Sequence, residues 1–221
     1  MHKKYLHNLS KYSHQGICNE IFISQEDNHQ YVVKKLLNTK TDHKYSASIQ
    51  QKASLFKIAP KILAKDKEFL IMQFIEGSHK QKLRREDIRQ IIILLKKFHK
   101  ITSKAKRVNL KKLLKQKDYH LLKYLNKFPK NMAVVHSDLN YKNIIFAKNR
   151  VYLIDFEYSS INDIYFDLAS ICVEFRLNNL EQRYLLGQYF KQKRANYKKL
   201  ELYKDIYKRV VDVWFAKNMI K

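Results

Sequence analysis

The chain has 221 residues, of which 45 are Lys or Arg and 20 are Asp or Glu, giving a formal net charge of +25. With 45% hydrophobic and 13% aromatic residues it has the material for a core in one large domain or two small lobes, which excludes an intrinsically disordered chain. Cys18 and Cys172 alone exclude a disulfide framework and point to a reducing cytoplasm; no apolar run approaches the ~20 residues of a membrane span, and Met1–Tyr5 lacks the apolar stretch of a signal peptide.

The first elements read as strands. Ile21 and Ile23 alternate with Phe22 and Ser24, the polar stretch Gln25 to Gln30 predicts a turn, and Tyr31-Val32-Val33 resumes β character. A helix is expected next, capped by Thr41, with Ile49, Ala53 and Phe56 at helical spacing and Pro60 beyond its end. Phe69 to Ile75 predicts a buried strand closed by Gly77. Ile88, Ile91, Ile92, Leu95 and Phe98 then form one apolar stripe, while Leu110, Leu113, Leu114, Leu121 and Leu125 predict a second helix reaching Pro129. Short strands are expected over 132–154 and helix again over 170–217. The pattern is α+β, with a small β-rich lobe preceding a larger, mostly helical one.

The positive charge names no partner by itself. Lys96 to Lys117 is the densest basic stretch and holds no acidic residue. Yet Lys96, Lys97, Lys100 and Lys104 fall on the outward side of an amphipathic helix, where solvated lysines are the normal outcome. The wealth of Lys, Asn, Ile, Tyr and Phe, beside three Gly and two Pro, is also the skew that an A/T-rich coding sequence imposes. No specific nucleic-acid partner is expected. A competing reading, from another functional class, has this basic stretch bind anionic polymers or membrane surfaces in a catalytically weak protein.

The chemistry concentrates in His136-Ser137-Asp138-Leu139-Asn140-Tyr141-Lys142-Asn143, followed by Val151-Tyr152-Leu153-Ile154-Asp155. A strand leads into a polar loop, and a hairpin through Ala147 to Arg150 returns the chain to Asp155. Asn143 and Asp155 then lie at neighbouring ends of two antiparallel strands, where their side-chain oxygens can share one Mg²⁺, a hard cation that divides its ligands between a few side chains and nucleotide phosphates. Asp138 is placed to accept a hydroxyl proton. The spacing is the H-x-D-x-x-x-x-N plus D-F arrangement of kinase catalytic centres. His136 is expected to orient the loop by packing and hydrogen bonding.

On these residues the chain resembles the choline/ethanolamine kinases within the aminoglycoside-phosphotransferase-like kinases, and is especially similar to the bacterial choline kinases that supply phosphocholine for surface polysaccharides. Asp155-Phe156-Glu157-Tyr158-Ser159-Ser160 matches that family's D-[FW]-E-Y segment, and the match continues through Asn162, Phe166-Asp167, Cys172 and Glu174. Gln15 to Asn19 resembles its phosphate-covering loop, Tyr31 to Lys34 its nucleotide-lobe strand, Ile58-Ala59-Pro60 its strand-leading turn and Met72 to Gly77 its hinge. The resemblance implies a two-lobed, protein-kinase-like fold, with a nucleotide-binding lobe and hinge over 1–77 and a catalytic and substrate-binding lobe over 78–221. It implies transfer of the γ-phosphoryl group of ATP, with Mg²⁺, to a small alcohol. Asp138 would orient or deprotonate the hydroxyl, Asn143 and Asp155 would hold the metal, and Lys34, Gly16, Asn19, Gln73, Phe74 and Ile75 would contact the nucleotide. Asp167 would brace the catalytic loop. Glu174, Tyr158 and Trp214 match residues of a choline pocket, although Trp214 also extends a helical stripe with Tyr203, Tyr207 and Val210 and reads equally as core.

Choline is the first substrate expected and ethanolamine the next, with thiamine and aminoglycosides as alternatives in the same fold. A polycationic aminoglycoside would want several carboxylates, which the basic carboxyl-terminal half supplies poorly. Two departures from the family stand out. No acidic residue occurs between Asp42 and Asp66, so the helix that in the family pairs a glutamate with the nucleotide lysine offers Ser46 and Gln50 instead. Gln15 also replaces a glycine of the phosphate loop.

Overall fold

The computed structural model describes residues 3–12, 19–26, 28–37, 43–191 and 195–218. Gly16, Thr41 and most of the phosphate-loop match lie outside them. Strands β1 (Ser10–Lys11), β2 (Asn19–Glu26), β3 (His29–Leu36), β4 (Ile62–Lys65) and β5 (Phe69–Gln73) form an antiparallel sheet in the order β1-β2-β3-β5-β4. The β2–β3 register pairs Glu26 with His29, leaving a two-residue connection tighter than the Gln25–Gln30 turn expected. Asn28 takes φ 59 there, a left-handed geometry that a primed hairpin turn demands and that Asn tolerates. Central strand β3 places Lys34 between Ile21 of β2 and Leu70 of β5.

Helix α1 (His43–Leu55) follows β3. Ile49 and Ala53 are buried as expected, but the helix stops at Leu55 and Phe56 is exposed. Its apolar face does not join the small cluster of Val33, Ala64 and Ile71 under the sheet. Ile49 and Ala53, with Ile58 and Ala59, belong instead to the large core shared with the carboxyl-terminal helices. The strand expected over Phe69 to Ile75 ends at Gln73, and 74–77 runs as an irregular connection.

Helix α2 (Arg85–Phe98) buries the whole expected stripe. The second helix does not form as one piece. It splits into α3 (Leu110–Leu113), a 3-10 turn and α4 (Tyr119–Leu125), because Leu114 and Lys115 are extended and Asp118 is drawn inward toward Arg209, Nε to Oδ1 3.5 Å. Strands β6 (Met132–Val135) and β9 (Ser160–Asp163) pair, as do β7 (Ile144–Ala147) and β8 (Arg150–Leu153). The final region is α5 (Tyr165–Glu174), α6 (Asn179–Phe190) and α7 (Tyr197–Asn218), starting earlier than the 170 expected. α6 begins at a capping box, with Asn178 Oδ1 accepting from Leu180 and Glu181 N–H and Glu181 Oε2 accepting from Asn178 N–H. Lys199 of α7 is buried and fixes this end: its ammonium donates to Asp163 Oδ2 (2.7 Å), Pro129 O (2.6 Å) and Asn131 Oδ1 (2.9 Å), and lies 4.4 Å from the Tyr165 ring centre.

The connection between the sheet and the helical region is pinned to the β7–β8 hairpin, since Ser78 and Phe146 exchange two backbone hydrogen bonds of 3.0 and 2.9 Å. Gly77 fits only as glycine: a Cβ there would lie 2.7 Å from Phe146 O and 2.6 Å from Ile145 Cγ2. Gly77→Ala is therefore expected to cost about 1–3 kcal/mol, the usual penalty of overpacking. A thermal melt should show a Tm lower by about 2–4 °C for each kcal/mol.

Candidate active site

The buried strand β6 delivers the chain into the polar loop at His136. That loop is held from beneath by Asp167 at the start of α5. Asp167 Oδ2 accepts from His136 N–H (2.8 Å), Oδ1 from Ser137 N–H (2.9 Å), and His99 Nε2 reaches Oδ2 at 3.0 Å. Ser137 takes φ 70, which a non-glycine residue adopts at a cost of order 1–3 kcal/mol, and the two bonds to Asp167 hold it there. The bracing role expected of Asp167 is what its contacts show. His99, absent from the sequence reading, links this brace to the Tyr189 hydroxyl at 2.7 Å.

His136 is fully buried, its ring 5.1 Å from that of Phe156 and 6.2 Å from that of Phe98. Its Nε2–H donates to Ile154 O at 2.9 Å, so it ties the loop to the residue before Asp155. Packing and orientation are its work, as expected.

Asp138 has both carboxylate oxygens engaged. Oδ1 accepts from Asn140 Nδ2 (2.9 Å) and Oδ2 from Asn143 Nδ2 (2.7 Å), which also donates to the Asp138 carbonyl (2.9 Å). Burial pushes its pKa up, and the nearby Asp155 carboxylate adds to the shift. Asn140 went unnoticed in the sequence; its signal was its place two residues after Asp138, and its Oδ1 closes a local turn on Lys142 N–H. Asn143 and Asp155 do lie on adjoining strand ends: Ile144 pairs with Leu153, and Ile154 N–H donates to Asn143 O at 3.1 Å.

Asp155 takes φ 62 and leaves its side chain 39% exposed. Its Oδ1 lies 2.8 Å from Lys34 Nζ, which also meets Glu157 Oε1 at 2.7 Å. The lysine and Glu157 side chains are only 7% and 5% exposed. Burial works against the ammonium, yet the two carboxylates outweigh it and raise its pKa above the ordinary lysine value. Asn19 is buried at the start of β2, with its amide donating to Glu157 Oε1 and its Oδ1 accepting from Leu37 N–H (3.2 Å). Gln73 is exposed at the end of β5, with Phe74 and Ile75 half-buried in the connection after it.

The residues present fit a magnesium ion shared with phosphates. Asp155 offers a half-exposed carboxylate, and Asn143, whose amide nitrogen is spent on Asp138, is left with its oxygen as the free ligand atom. Among the described residues no three His, Cys, Asp or Glu side chains form a metal cluster.

Beside this loop stands a second group. Glu174 ends α5 half-buried and accepts from Tyr207 O–H at 2.9 Å; burial raises its pKa, and the Asp138 charge acts in the same direction. Trp214 Nε1–H donates to the Tyr158 hydroxyl at 3.0 Å, with the rings edge to face at 6.4 Å. Tyr203 and Tyr207 are buried core, whereas Trp214, two turns beyond Tyr207 on the same face of α7, is half-buried against the segment that follows Asp155.

A sheet that holds a buried lysine over an Asp-Asn loop and a second aspartate defines a two-lobed kinase fold, built for transfer of a phosphoryl group to a small molecule. Comparison with known proteins agrees. Residues 102–210 match the family model for choline/ethanolamine kinase. Over 200 residues the chain is 30% identical to a LicA homolog of Metamycoplasma hominis, covering 82% of this chain and 78% of that one. It superposes on the crystal structure of choline kinase LicA from Streptococcus pneumoniae with a TM-score of 0.81 at 19% identity, over 96% of this chain and 85% of that one. A Plasmodium vivax ethanolamine kinase gives 0.76 at 16% identity, over 97% and 78%. The chain belongs to the choline/ethanolamine kinase family and is a small-molecule kinase. Among the described residues no helix is long and apolar enough to cross a membrane.

Proposed function

We propose that this kinase transfers the γ-phosphoryl group of ATP to the hydroxyl of choline, with ethanolamine as the next substrate. Residues 1–77 serve as the nucleotide-binding lobe and hinge, and 78–221 as the catalytic and substrate-binding lobe. The observation that supports the reading is that the Asp138 charge is felt both by Asp155 and by Glu174, so the base lies within electrostatic reach of a phosphate side and of a second carboxylate. On the first side Lys34 would meet the phosphates, and Asn143 and Asp155 would hold the metal that accompanies them. On the other, Glu174, Tyr158 and Trp214 offer a carboxylate and aromatic faces, the combination that recognises a quaternary ammonium, which has no hydrogen to donate.

Asp138 accepts the hydroxyl proton as the oxygen attacks, and Asn140 and Asn143 fix the direction of its lone pairs. Lys34 balances the charge of the phosphates. Asn143 and Asp155 would hold Mg²⁺, which would supply neutralisation of phosphate charge when bound. Most of the rate comes from positioning, so few reactive side chains are needed.

A nucleotide-consumption screen over choline, ethanolamine, thiamine and kanamycin tests the assignment. Turnover should be greatest with choline; thiamine used far better than choline would move the protein to that substrate with the same catalytic loop. Asp155→Asn removes one formal charge from the metal side and should raise the dissociation constant for Mg-ATP by about tenfold, equivalent to ~1.4 kcal/mol. An unchanged constant in a calorimetric titration would remove Asp155 from the ligand set.

A further inference from the structure

We propose that Glu157 is the positioning residue for Lys34, a buried counter-charge supplied from the Asp155 segment and not from helix α1. The proposal rests on Lys34 contacting nucleotide phosphates, as read above. A lysine that must reach a phosphate needs a carboxylate that stays on it when the nucleotide arrives, since a free ammonium on a four-carbon stem samples many rotamers. Helix α1 has no such group: Ser46 and Gln50 are uncharged, and the Gln50 amide donates to Pro60 O (3.2 Å) and Met72 Sδ (3.6 Å). Two carboxylates touch Lys34 instead, and they differ in exposure. Asp155 is 39% exposed and faces the side where a metal and phosphates would sit, so it is the one that can turn away. Glu157 is 5% exposed, and the Oε1 that meets Lys34 also accepts from the Asn19 amide, so it stays. Asn19 is in turn fixed by Leu37 N–H just past the end of β3, so the clamp joins β2, β3 and the Asp155 segment. The α1 face is packed through Ile49 and Ala53 into the large core. The Asp155 carboxylate and the lysine anchor thus sit two residues apart on one segment, and the lysine's counter-charge does not depend on where α1 lies.

The test is a double-mutant cycle of Glu157→Gln and Lys34→Met on the full chain, reading the KM for ATP, the KM for the alcohol and the magnesium activation constant at saturating ATP. Glu157→Gln alone should raise the KM for ATP about tenfold, leaving the alcohol KM and the magnesium constant within twofold of the parent. In the Lys34→Met background the same substitution should change the KM for ATP less than twofold. Glu157→Asp, which keeps the charge one methylene back, should recover most of the ATP affinity, and Asn19→Ala, which loosens Glu157 without removing its charge, carries the cycle if Glu157→Gln does not fold. A tenfold effect that persists without Lys34, or a raised magnesium constant, would place Glu157 on the metal and overturn the proposal. Lys34→Met with an unchanged KM for ATP would overturn the phosphate reading itself, a failure seen in that variant alone.

Discussion

Asp138→Ala is expected to lower kcat by about 10²–10⁴-fold, the usual contribution of a positioned base, while Mg-ATP still binds. The separation follows from the contacts. Asp138 bonds to Asn140 and Asn143 and not to Lys34, so its loss leaves the lysine and the Asp155 carboxylate in place. Asp138→Asn should be equally inactive. The pKa of Asp138 is raised in the folded chain, so the folded state holds its proton more tightly than the unfolded one. The stability from that protonation is full below the unfolded value and lost as pH rises through the folded one. At neutral pH the ionised group is therefore a cost to the fold, partly offset by the two amide donors that it accepts from. Measurable turnover near the parent rate in either variant, in a coupled ADP-release assay, would end the assignment of Asp138 as base.

Glu174→Gln should raise the KM for choline about tenfold or more, equivalent to ~1.4 kcal/mol or above, with the KM for ATP within twofold. The chain repels cations as a whole, but at physiological salt the Debye length is about 8 Å, so distant lysines are screened while a carboxylate in contact is not. A cation on an aromatic face adds on the order of 0.5–2 kcal/mol, so Trp214→Leu should move the choline KM in the same direction by a smaller factor. The pH dependence has a definite sign. Burial raises the Glu174 pKa above its ordinary value of 4.5, and only the ionised form attracts the ammonium. The choline KM should fall as pH rises from 4.5 through the shifted value, and the Glu174→Gln profile should be flat over the same window. Steady-state kinetics in which Glu174→Gln uses choline normally would move recognition to another group.

The parts of the site legible in the sequence were those whose geometry is set by a few consecutive residues. Asp138 and Asn143 are five residues apart in one loop, and a short β7–β8 hairpin brings Asp155 to Asn143, so chain spacing alone predicted their meeting. The α2 stripe was legible for the same reason, because helical periodicity places Ile88, Ile91, Ile92, Leu95 and Phe98 on one face without reference to any other element. The amino-terminal hairpin was legible in type but not in extent, since a two-residue turn leaves little composition to mark it.

What the amino acids could not announce depended on surfaces meeting across the fold. Lys34 and Asp155 are separated by 121 residues, and Glu157 becomes the lysine's buried partner only because β3 lies against the segment after β8. The same holds for Asp118, whose burial near Arg209 broke an expected continuous helix, and for α1, whose apolar face chose the large core over the sheet. The stripe of Tyr203, Tyr207 and Trp214 read as one face, and the tertiary structure divided it: two rings close the core against α5, while Trp214 runs past the end of that packing and meets Tyr158. Local spacing is fixed by covalent geometry and hydrogen-bonded turns, whereas the choice among many lysines, acids and rings is made by desolvation, which acts only once the lobes have packed.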